Sequence, residues 1–185
     1  MHPTEPAAQV ALRSFVAAVA LREALVTLTG LPGSFSLKWP NDVLLNGGKV
    51  AGILLESVGL ADGVAHLAIG IGVNLIAAPD QAQLDPGALP AVSLRAETGL
   101  SIAPEKLLDQ LAGTYAHWES VFTGLGFAPL RTAWLSHTTH LGETIRARTG
   151  TQSREGVFET IDPSGNLILT TSQGRVAIAA AEVFF

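Results

Sequence analysis

The stretch Lys38-Trp39-Pro40-Asn41-Asp42-Val43-Leu44-Leu45-Asn46-Gly47-Gly48-Lys49-Val50-Ala51-Gly52-Ile53-Leu54-Leu55-Glu56 carries the fold reading of this chain. At its centre, Asn46-Gly47-Gly48 separates two apolar runs and suits the positive φ of a tight hairpin turn. Residues 43–45 and 49–56 therefore read as paired strands, with a further strand over 35–39. Residues 64–75 follow as a buried strand almost free of charge.

Working outward, residues 7–28 place Phe15, Val16, Val19, Ala20, Leu25 and Val26 at helical spacing. Pro6 suits a first turn, and Gly30 with Pro32 ends the run, so one core-facing helix is expected. Residues 77–90, with Pro79, Pro86 and Pro90, read as a loop. A second helix is predicted over 104–122, with Leu107, Leu108, Leu111, Tyr115, Trp118 and Phe122 on one face, and a shorter one over 130–135. Near Gly142 the texture changes to short alternating runs over 144–149, 156–161, 167–170, 175–179 and 182–185. Turn residues such as Asp162-Pro163-Ser164-Gly165 and Gln173-Gly174 separate them. Five short strands suggest a small barrel, so the expected class is α/β (α+β): a mixed sheet with flanking helices over 1–140 and a small β-barrel domain over 141–185.

The 185 residues suffice for a sizeable core. Lys+Arg number 11 against 16 Asp+Glu, a net charge of -5, with 48% apolar and 15% charged residues. Mean hydropathy is +0.36, but the longest apolar stretch, 64–78, carries His66, Asn74, Gly70 and Gly72 and is too short to span a bilayer. No basic, apolar and small-residue segments follow in order near Met1, so a cytoplasmic protein without membrane contact is expected. Cysteine is absent, which removes disulfides, thiolate zinc sites and thiol nucleophiles. An acidic chain with three lysines, Lys38, Lys49 and Lys106, and no basic cluster is a poor nucleic-acid binder.

Three segments combine strand ends or turns with polar residues: Lys38-Trp39-Pro40-Asn41-Asp42, Gly47-Gly48-Lys49-Val50-Ala51-Gly52, and Gly70-Ile71-Gly72-Val73-Asn74. Gly48-Lys49-Val50 lacks the hydroxyl residue and upstream glycine of a phosphate-binding P-loop, and Gly70-Ile71-Gly72 has Leu75 where a dinucleotide fingerprint needs its third glycine. His137 and His140 read as solvated histidines, since no third metal ligand is evident. Glu56 and Asp62 show no spacing for acid/base work.

Taken together and in order, the three segments resemble the biotin protein ligase family, which attaches biotin to a carboxylase carrier domain. They match its KWPND block, its hairpin lysine block and its G-x-G-x-N strand, and the likeness continues into a small C-terminal barrel of SH3-like type. The resemblance implies that biotin and ATP form biotinyl-AMP, and that a lysine of the biotin carboxyl carrier domain then takes the acyl group. It implies that Lys49 touches the carboxylate and the α-phosphate, that Lys38 faces the phosphates, and that Asn41, Asp42 and Asn74 order the adenylate or its metal. Gly52, Gly70 and Gly72 would admit backbone close to ligand, with Val73 next to Gly72 at the same site and Trp39 as core or pocket wall; Mg²⁺ would screen the triphosphate. Asp42 could instead cap the following turn, and Gly70 and Gly72 could serve tight strand packing.

Departures are also expected to matter. Family members carry a Gly/Arg-rich loop ahead of the KWPND block, whereas 37 residues precede Lys38 here and Arg13 and Arg22 fall on the predicted helix. Ala181-Glu182-Val183 stands where the family tail usually has glycine before glutamate. The chain reads either as a shortened ligase, with little activity by itself, or as a non-catalytic homologue that binds a partner; a third reading is a ligase for another acyl acid such as lipoate. Exposed apolar strand edge would favour a homo-oligomer.

Overall fold

The computed structural model describes residues 1–60, 63–83, 89–150 and 152–184. Asp62 and Pro86, and residue 185 at the end of the last expected strand, lie outside them.

The first sheet is an antiparallel meander of β1 (Phe35–Lys38), β2 (Asp42–Leu45), β3 (Gly48–Leu60) and β4 (Gly63–Val73), in the order β1-β2-β3-β4. The hairpin turn falls where the Asn-Gly pair places it: Asn46 and Gly47 take φ of 51° and 85°. Alternate residues Ile53 and Leu67 turn into the core, while Leu54 and Val58 face outward.

The expected first helix is two elements, α1 (Ala7–Ala11) and α2 (Arg13–Thr29), separated at Leu12. Gly30 closes α2 in the left-handed conformation with φ 71°, as a helix-ending glycine does. Alanine and valine around much of its girth are buried, so α2 forms the centre of the core. It packs on the sheet and on α4 (Pro104–Leu125) and α5 (Phe127–Leu135). Leu107, Tyr115, Trp118 and Phe122 do belong to the packed face of α4, but Leu108 is 65% exposed. The reason is geometric: Leu107, Leu111, Tyr115, Trp118 and Phe122 recur at three- and four-residue steps, and Leu108 sits one position off that stripe. A short helix that the sequence reading omitted, α3 (Leu94–Thr98), is capped by the Ser93 hydroxyl, which accepts from Ala96 N at 3.3 Å. Within 77–90 a 3-10 turn spans Gln81–Gln83.

The C-terminal strands form a second antiparallel sheet, in the order β8-β7-β6-β5-β9: β5 (Thr144–Thr149), β6 (Gln152–Ile161), β7 (Leu167–Thr171), β8 (Gly174–Ile178) and β9 (Glu182–Phe184). The named strands of both sheets pair antiparallel; among the described residues the parallel component is two isolated bridges, Leu37 with Thr138 and Lys49 with Ala91. Asp162 fixes the β6–β7 turn, its carboxylate accepting from Ser164 N at 2.8 Å and Asn166 N at 2.9 Å. Apolar residues of both sheets and of α2 and α5 form one continuous core. Among the described residues no helix is long and apolar enough to cross a membrane.

Candidate active site

Lys38 closes β1 and Asp42 opens β2, so the two stand directly opposite each other across a short turn that contains the cis Trp39–Pro40 peptide. Asp42 in turn pairs with Gly52 of β3. Regular alternation would then point Lys49 to the same side as Ile53, into the core. It does not, because the β2–β3 register shifts between Val43 and Leu44: Val43 faces Ala51 and Leu44 faces Lys49, leaving Val50 as an extra residue. This bulge reverses the alternation and brings Lys49 to the open face that carries Gly52.

On that face the ammonium of Lys49 lies 2.6 Å from Asp42 Oδ1, and the ammonium of Lys38 lies 3.7 Å from Asp42 Oδ2. One nearly buried carboxylate thus holds two cations. Burial pushes the Lys38 ammonium below the ordinary lysine range, and nearby Lys49 adds to this, while Asp42 and Glu182 oppose it.

The backbone of Lys49 is secured from its other side as well. Lys49 N donates to Pro90 O at 2.8 Å, and Val92 N donates to Lys49 O at 3.0 Å. Gly48 allows this approach, since a Cβ there would stand 2.4 Å from a Val92 methyl. The two asparagines act as struts: Asn41 Nδ2 donates to Ile53 O at 2.6 Å and Asn74 Nδ2 to Val92 O at 3.1 Å, each bracing the backbone around Lys49.

These side chains line a cavity of about 740 Å³. Of the residues singled out in the sequence, Lys38, Asn41, Asp42, Lys49, Gly52, Gly72, Val73 and Asn74 border it. Gly70 and Trp39 do not. Gly70 lies further along β4, opposite the exposed Leu54. Trp39 is 2% exposed, and its indole N–H donates to Gly165 O at 3.0 Å. Of the two places expected for Trp39, core or pocket wall, it takes the core: its large apolar ring is buried between the two sheets, and it does not line the cavity. Of the three glycines, only Gly72 has open space around it, as a close approach of ligand needs. The sequence reading gave no site role to β9, yet Ala181, Glu182, Val183 and Phe184 form one wall. Glu182 is held there by an ion pair with Arg148, whose guanidinium also lies 4.9 Å from the Phe184 ring centroid. Among the described residues no cluster of three or more His, Cys, Asp or Glu could hold a metal by itself.

An arrangement of two ammoniums at an open cavity can neutralise a polyanion as charge develops on it. Comparison with known proteins gives this chemistry a family. Residues 2–74 match the biotin/lipoate A/B protein ligase family, and residues 140–185 match the biotin protein ligase C terminal domain. The biotin--[acetyl-CoA-carboxylase] ligase of Paracoccus denitrificans is 54% identical over 185 residues, covering 100% of this chain and 77% of that protein. The chain belongs to the biotin protein ligase family. The bifunctional ligase/repressor BirA of Bacillus subtilis is 31% identical across 99% of the chain, which spans 55% of that relative's length. Among solved structures, a mutant biotin protein ligase of Aquifex aeolicus in complex with biotin superposes with a TM-score of 0.81 at 25% identity, over 99% of this chain and 74% of the other. The Aquifex ligase in complex with biotin and ATP gives a TM-score of 0.76 at 25% identity, over 97% and 72%. The chain therefore shares the family fold in both of its sheets.

Proposed function

We propose that this chain carries out the ATP-dependent attachment of biotin to a lysine of a biotin carboxyl carrier domain, through biotinyl-5'-AMP. The observation that carries the reading is the convergence of Lys38 and Lys49 on one cavity in a chain with three lysines and a net charge of -5. The match to a biotin protein ligase C-terminal domain and the biotin and ATP seen in related structures favour biotin over lipoate.

In the first step a carboxylate oxygen of biotin forms a bond to the α-phosphorus of ATP while the bond to the pyrophosphate oxygen breaks. Both reactants are anions, so Lys49 lowers the barrier by lying against the two reacting groups and offsetting the charge at the phosphorus. Lys38, buried at the cavity floor, holds the phosphates. Gly72, with open space around it, lets the acid or nucleotide lie against the backbone of β4. In the second step the neutral amine of the carrier lysine attacks the acyl carbon, AMP leaves, and the amine proton is released. Mg²⁺ fits as an ion carried mainly by the triphosphate oxygens, because among the described residues the acidic ones at the cavity are Asp42 and Glu182, and Asp42 is already committed to lysines.

Calorimetry with a non-hydrolysable biotinyl-AMP mimic tests the reading. Submicromolar binding is expected for the wild-type chain, with a loss of about a hundredfold in Lys49→Ala, the scale of removing one charged oxyanion partner. Carrier binding without mimic binding would overturn the catalytic reading in favour of a non-catalytic binding module.

A further inference from the structure

Gly52 lies at the cavity, but the space directly over it is bordered by the end of the Lys49 side chain. A Cβ built on it would stand 3.2 Å from Lys49 Cε, 3.3 Å from Lys49 Nζ and 3.7 Å from Asp42 Oδ1. A methyl at position 52 would press on the end of the lysine and make it give by a few tenths of an ångström, because that end folds back across β3 to the carboxylate of Asp42, the residue that pairs with Gly52 across the β2–β3 ladder. The bulge at Val50 chooses the face on which Lys49 emerges, but a four-carbon stem on an open face has many rotamers. Two features reduce them: the room above Gly52 and the anion at its far end.

We infer that Gly52 is a positioning residue for Lys49, and that Asp42 serves as a stand-in anion that keeps the ammonium aimed along β3 until the anionic groups of the substrates take its place. Lys49 Nζ meets Asp42 Oδ1 at 2.6 Å while the lysine side chain keeps 44% of its exposure, so the ammonium is held on one side and open to the cavity on the other. A cation preset in this way needs little reorganisation when the reacting anions arrive. The inference rests on the adenylating role of Lys49 under Proposed function, but its structural half stands on the ligand-free chain.

With three lysines in the chain, side-chain ammonium resonances can be resolved by nitrogen-proton NMR and assigned by substitution. In the wild-type chain the Lys49 ammonium is expected to exchange slowly with water, protected by Asp42. Gly52→Ala should remove that protection and leave the Lys106 resonance unmoved, and Asp42→Asn should do the same at Lys49 without adding bulk. Where the chain forms adenylate, Gly52→Ala should lower kcat about tenfold, the rate equivalent of one weakened charge-assisted contact, with KM for ATP little changed. A Lys49 resonance unprotected in the wild type, or equally protected in Gly52→Ala, overturns the inference. Absence of adenylate formation in the wild type would count against the proposed function alone, since the ammonium spectra are read without substrate.

Discussion

Lys38 has 8% of its surface exposed and sits against Asp42, with Lys49 and Glu182 close by. Burial is the largest influence on it and lowers its pKa below the ordinary 10.5. Two consequences follow with opposite signs. Between the lowered folded value and 10.5 the unfolded chain binds more protons at this group than the folded chain does, so its contribution to stability rises with pH across that window. Nucleotide binding should fall across the lowered value, because the ammonium that meets phosphate is lost there. Asp42→Asn, which removes a partner favouring the charged form, should move that fall to lower pH. Binding of the adenylate mimic measured against pH in both chains checks this; coincident alkaline limbs would contradict it. The motif made both lysines legible, since strand ends flanking a turn bring residues together. Their partner was not legible in the same way: Asp42 read equally well as a turn cap, and only the folded chain puts both ammoniums on it.

The β2–β3 hairpin is the element on which the site depends, and it shows where sequence reading stops. Asn46-Gly47 announces the turn, and alternation announces the strands, because backbone sterics and period are local properties. The bulge is not local. Whether Val50 is an extra residue depends on the register adopted across the ladder, and alternation alone would have sent Lys49 toward the core. The exposure of Leu108, by contrast, follows from local period alone, since it sits one position off the apolar stripe of α4. Gly48 gives a test at this scale. Gly48→Ala should press on Val92 and Pro90, weaken the hydrogen bonds that flank Lys49, and cost about 1–3 kcal/mol, as overpacking does. Gly113→Ala, in the interior of α4 with nothing within 4 Å of the new methyl, should instead stabilise by about 0.5–1 kcal/mol. Urea denaturation of the two variants beside the wild type separates them; equal midpoints would refute the packing argument.

At the scale of the whole molecule, the two sheets share a core in which Trp39 bonds to Gly165 and Phe15 packs edge-on against Phe127 and Trp134. That union places β9 at the cavity wall, a long-range result that no short motif announces. What the core leaves outside is the outer face of β3 and β4. Leu54 and Val58 are 61% and 63% exposed there, and β4 ends the strand order of its sheet. Its outer edge meets Met1 at Leu67, by bonds of 2.9 Å and 3.0 Å. Apolar side chains beside a strand edge favour pairing with a second chain, whereas charge on that face opposes it. The chain should therefore self-associate as concentration rises, and Val58→Lys should shift the equilibrium toward monomer while leaving the cavity intact. Sedimentation velocity over a concentration series reads both effects. A wild-type chain that stays monomeric throughout would show that the exposed β3–β4 face does not drive association.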